Sequence, residues 1–87
     1  MKRDFLLRAR ARHRPGFLAR MTGMFYRRAL DIRTLVVGEE DDDGLVPIVV
    51  RVVGEAREIE RLALSVQNLV DVARAEVVPL TPAREVR

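Results

Sequence analysis

Cysteine and tryptophan are absent from the 87 residues, and histidine and tyrosine occur once each. Without cysteine there can be no disulfide, thiolate metal site or cysteine nucleophile, and the composition suits a reducing compartment. One His and one Tyr leave few groups for acid–base chemistry, which argues against an independent enzyme. No apolar run approaches the roughly 18 residues of a membrane span. Lys2 and Arg3 are followed by further arginines rather than by the apolar stretch of a secretory leader. The expectation is a cytoplasmic protein, away from the membrane, that holds no cofactor and no metal. What the chain does have is 48% hydrophobic residues, mainly Val, Leu, Ile and Ala, and 33% charged ones. That describes one small domain. A chain this short buries only about 60–65% of its unfolded surface, so it gains from a partner.

The net charge of +3 conceals an asymmetry. Lys2, Arg3, Arg8, Arg10, Arg12, Arg14, Arg20, Arg27 and Arg28 face a single acid, Asp4, in the first third, while acids outnumber bases in the rest. A basic front raises nucleic acid, a membrane surface or an anionic ligand. From Leu7 onward, however, Leu7, Ala9 and Ala11 alternate with Arg8, Arg10 and Arg12. This is the period of a strand with one wet face. The row also lacks the interleaved aromatics on which single-stranded bases stack. Pairing with acids of a partner chain is a third use for it.

The same periodicities divide the chain. Phe5–Arg12 reads as a strand, and His13-Arg14-Pro15-Gly16 as a strand-to-helix loop, because Pro suits the first turn of a helix. Phe17, Leu18, Met21, Met24 and Phe25 then fall at helical spacing, predicting a helix over 15–29. Ile32–Val37 is a β-branched strand, Glu39–Gly44 a polar turn and Leu45–Val53 a third strand with Pro47 near its start. Gly54-Glu55 is expected to break the chain. Ile59, Leu62, Ala63, Val66, Leu69 and Val70 form a second helical stripe, and 71–79 alternates as a fourth strand. Residues 81–87 carry no apolar pattern and read as a tail after a domain spanning 1–80. The acids at 39–43 lack the alternating spacing of a calcium loop and read as a solvated turn. His13, with no second His nearby, makes no metal site by itself.

The order β-α-β-β-α-β predicts an α+β, ferredoxin-like sandwich: a four-stranded antiparallel sheet in the order 4-1-3-2 with both helices on one face. Strand 2 is then an edge. Its Ile32, Leu35, Val36 and Val37 are guarded only by Arg33, so a second copy is expected to extend the sheet and make a homodimer.

Topology does not choose a function. The segments Arg12-His13-Arg14-Pro15-Gly16-Phe17-Leu18-Ala19-Arg20, Gly23-Met24-Phe25-Tyr26-Arg27-Arg28-Ala29-Leu30-Asp31-Ile32 and Leu69-Val70-Asp71-Val72-Ala73-Arg74-Ala75 do more. The first two resemble the loop and first helix of ACT domains, and all three together resemble the regulatory (small) subunit of acetolactate synthase, also called acetohydroxyacid synthase. The resemblance covers about residues 4–80 and is to the short, single-domain kind.

That resemblance implies a regulatory module without catalytic residues of its own. It implies binding of a branched-chain amino acid, valine, at the interface of two copies, and association with a thiamine-diphosphate-dependent catalytic large subunit. The implied ligand site combines the loop after strand 1 and the start of helix 1 of one copy with strand 2 of the other: His13, Pro15, Gly16, Phe17 and Leu18, then Asp31 and Ile32. Backbone N–H groups at Gly16, Phe17 and Leu18 would take the α-carboxylate, since a helix N-terminus presents unpaired donors and a positive dipole end. His13 and Asp31 stand where the family writes Asn, and would be the polar partners. Two alternatives stay open: a basic nucleic-acid-binding module of the same fold, and an ACT sensor serving another pathway.

Overall fold

A computed structural model describes residues 2–80. The elements are β1 (Lys2–Ala11), α1 (Phe17–Arg27), β2 (Asp31–Val37), β3 (Val46–Glu55), α2 (Ala56–Gln67) and β4 (Val72–Pro79). The four strands form one antiparallel sheet in the order β2-β3-β1-β4. This is the expected βαββαβ sandwich, with β2 and β4 at its edges. Residues 81–87, read as a tail, lie outside the described residues.

The core follows from the alternation. Phe5, Leu7, Ala9 and Ala11 of β1 and Val46, Ile48, Val50 and Val52 of β3 are buried beneath the helices. Onto them pack Phe17, Met21 and Phe25 of α1 and Ile59, Leu62 and Val66 of α2, at the i, i+4 and i+3 spacings of one helix face. Arg8 and Arg10 of β1 occupy the opposite, open face of the sheet, as the period of two requires.

Several boundaries differ from the sequence expectation. Helix α1 begins at Phe17 rather than at residue 15, because Gly16 adopts φ +83°, which no helical residue does. Helix α2 ends at Gln67, so Val70 leaves the apolar stripe and is 94% exposed. Gly54 does not break the chain: β3 runs through it to Glu55, and Leu30 packs into the space that its missing side chain leaves. Helix α1 closes with Leu30 N–H donating to Phe25 O and Ala29 N–H to Tyr26 O, both at 3.1 Å. Ala29 takes φ +56° between them, the paired arrangement that commonly ends a helix on a left-handed residue. The 39–44 turn is organised by Asp41. Its Oδ1 accepts from the N–H groups of Asp43 (2.8 Å) and Leu45 (3.0 Å), and its Oδ2 meets the Arg10 guanidinium.

Candidate functional site

The loop between β1 and α1 is tied down along its length. Arg12 N–H donates to the main-chain oxygen of Asp71 (2.8 Å), and Arg14 Nε pairs with the Asp71 carboxylate (2.9 Å). Phe17 N–H in turn donates to Arg14 O (3.0 Å). Gly16 follows with its positive φ. A Cβ there would meet nothing within 4 Å in this chain, so the conformation itself is what calls for glycine. The first helical bond is Arg20 N–H to Gly16 O (3.1 Å).

The start of α1 therefore keeps the N–H groups of Leu18 and Ala19 without an intrahelical acceptor. No side chain caps this end and no acid occupies its first turn, so its positive potential is not neutralised locally. Phe17 differs from its sequence assignment: its N–H is already engaged and its ring belongs to the core. His13 and Pro15 are exposed beside the helix start, and Leu18 is half-buried.

Asp31 and Ile32 open β2 and line a shallow groove with Ala19, Thr22, Tyr26 and Leu30. Asp31 is exposed and paired with Arg33 (3.2 Å). A single chain does not unite the two sets of residues. Asp31 lies opposite Val53, whereas the loop leaves β1 at Ala11, opposite Val46. Seven residues of β3 separate those levels, about 23 Å at the rise of a strand. The end of β2 is the part on the loop's level: Val37 lies opposite Ile48, and Gly38 N–H donates to Pro47 O (2.8 Å).

The arginine row on the open face is largely engaged. Arg8 pairs with Glu76 (2.7 Å), Arg10 with Asp41 and Arg51 with Asp4. A phosphate backbone would have to displace those carboxylates. The Asp4–Arg51 pair is bidentate, at 3.0 and 3.1 Å, and its hydrogen bonds hold the Asp4 carboxyl below its ordinary value of 3.8. Among the described residues, no group of three or more metal-ligating side chains comes together, and no helix is long and apolar enough to cross a membrane.

The family profile described as "AHAS small subunit-like ACT domain" matches residues 7–74, which include the loop, both helices and the Asp71 segment. The chain belongs to that family. Relatives of this ACT domain include the probable acetolactate synthase small subunit of Methanothermobacter thermautotrophicus, 32% identical over 94% of the chain and 48% of the relative. The isozyme 3 small subunit of Escherichia coli is 34% identical over 68% of the chain and 36% of the relative. The chain thus spans about half the length, or less, of the curated relatives it matches. Among solved structures, the acetolactate synthase small subunit of Thermotoga maritima superposes with a TM-score of 0.72 at 30% identity, covering 95% of this chain and 50% of that one. The ACT domain of a GTP pyrophosphokinase from Chlorobium tepidum shares the fold at 16% identity, with a TM-score of 0.73, over 90% of this chain and all of that one.

One residue that ties the candidate loop is not marked as such by its residue type. Asp71 was visible in the third family-like segment, but its contacts with Arg12 and Arg14 come from residues far away in the chain.

Proposed function

We propose that this ACT domain is a regulatory module of acetolactate synthase that captures a branched-chain amino acid, valine, between two copies and adjusts the activity of a thiamine-diphosphate-dependent catalytic subunit. The observation that carries the reading is the separation of the two half-sites. The β1–α1 loop and Asp31 lie at opposite ends of the sheet, and antiparallel pairing of β2 with β2 of a second copy, centred on Thr34, would bring the partner's Asp31 beside this copy's Val37, at the loop's level. The exposed β2 edge and the groove alongside α1 are continuous, so one approach of a second copy covers both.

In that composite site the Leu18 and Ala19 N–H groups receive the ligand carboxylate, with Gly16 holding the backbone open. Asp31 of the partner subunit accepts from the ammonium, His13 lines the rim, and Ile32 and the groove residues meet the aliphatic side chain. Chemistry belongs to the catalytic subunit. Valine inhibits the complex only to the extent that it binds the restrained state more tightly than the active one.

Calorimetry of the protein against valine, leucine, isoleucine and serine tests the reading, alongside reconstitution with an acetolactate synthase catalytic subunit. Saturable binding of a branched-chain ligand and a rise in synthase activity are expected. No binding at millimolar concentration overturns amino-acid sensing. Unchanged synthase activity on mixing overturns the regulatory role.

A further inference from the structure

The β1–β4 pairing shifts register at its last step: Arg10 lies opposite Arg74, but Ala11 lies opposite Val72. Ala73 is therefore an extra residue on β4, a bulge, and bulges bend a strand and re-aim the side chains beside them. Two residues before this kink stands Asp71. Its side chain is only 12% exposed, and both of its oxygen types serve the same short loop. The main-chain oxygen accepts from Arg12 N–H (2.8 Å) and the carboxylate from Arg14 Nε (2.9 Å). Arg14 passes the restraint on, because its carbonyl accepts the Phe17 N–H one residue beyond Gly16.

We propose that Asp71 is a positioning residue for ligand capture: through Arg14 it holds the β1–α1 loop so that the Leu18 and Ala19 N–H groups stay open toward the ligand. The ligand half of this proposal rests on the amino-acid-binding reading above, while the loop half stands on contacts within the chain. The open sheet face has its arginines largely paired, and the acids at 39, 40, 42 and 43 form only a solvated hairpin tip.

The physical basis is an ion-assisted hydrogen bond with one partly buried partner, worth enough to decide between loop conformers. Asp71→Ala and Arg14→Ala should each accelerate amide exchange at Phe17 and raise the valine Kd, both by about ten-fold, equivalent to about 1.4 kcal/mol. The double variant should be no worse than either single one, because both remove the same contact. Asp71→Asn keeps an oxygen acceptor and should fall between.

Hydrogen exchange on the intact protein and calorimetry with valine read the two arms separately. Unchanged Phe17 exchange in both alanine variants overturns the proposal whether or not valine binds. Faster exchange in a protein whose unaltered form binds no amino acid supports the loop tie and refutes the sensing reading instead. Additive losses in the double variant also overturn it. Should Asp71→Ala fail to fold, the exposed Arg14→Ala carries the same test.

Discussion

Leu30 fills the space that a side chain at Gly54 would occupy. Its Cδ2 stands where a Cβ on residue 54 would be, while its Cγ and Ile59 Cδ1 lie at ordinary contact distance around that position. Leu30 is itself buried, 6% exposed, and is placed by the left-handed turn at Ala29 that ends α1. The helix terminus and the last residues of β3 thus fit together as a side chain into a glycine gap, which is why β3 can continue to Glu55.

Gly54→Ala should therefore destabilise the domain by about 1–3 kcal/mol, the cost of overpacking a filled core. Urea unfolding monitored by circular dichroism measures this. An unchanged midpoint would show that Leu30 moves aside freely.

Ala29→Gly should act in the opposite direction. Ala29 is exposed and holds φ +56°, a conformation that costs a residue with a Cβ about 1–2 kcal/mol and glycine almost nothing. Glycine's larger unfolded-state entropy takes back part of this, leaving a gain of about 0.5–1 kcal/mol. A lower unfolding midpoint in the variant would contradict that.

The Asp4–Arg51 pair sets a pH dependence. Hydrogen bonds from Arg51 lower the folded carboxyl's pKa from 3.8. A group whose folded pKa is depressed contributes stability above its unfolded pKa and loses it as pH falls through the folded value. The stability difference between the unaltered protein and Asp4→Asn should be constant near neutrality and shrink on acidification below about pH 4. Thermal melts from pH 7 to pH 2 check the sign. A difference that grows toward low pH would refute it. High salt should reduce the neutral-pH difference, because the pair is exposed.

The β2 edge supplies a test of association. Leu35 and Val36 are 37% and 58% exposed on a strand paired on one side only. Replacing both with Lys places charge on that edge without emptying the core, so sedimentation should change from dimer to monomer while circular dichroism is retained. A dimer that survives both substitutions would place the interface elsewhere. Loss of valine binding together with the dimer is the corresponding expectation for the composite site.

Most of the architecture was legible because burial writes itself into local spacing. The alternation from Leu7 to Arg12, the Phe17, Met21, Phe25 stripe and the Ile59, Leu62, Val66 stripe each record one buried face. Pro15-Gly16 marked the turn between the first two elements. Val70 misled, since it continued the spacing of the second stripe past Gln67, where the helix stops. Of the candidate site, the positions of His13, Pro15 and Gly16 at the start of α1 were readable. The engagement of Phe17 N–H by Arg14 was not, because backbone turns of this kind leave no trace in residue type.

By itself the sequence determined the element types, their order and hence the sheet order, since hydrophobic period and turn residues act over a few neighbours. Tertiary structure alone decided that Gly54 stays in its strand under Leu30, that Arg51 finds Asp4 47 positions away, and that the β1–α1 loop and Asp31 stand at opposite ends of one sheet. It also decided that Asp71 restrains Arg12 and Arg14. The reason is common to all four. Each joins residues distant in the chain through strand register and the packing of helix on sheet, and a shift of one position in that register changes such pairings while leaving local periodicity untouched.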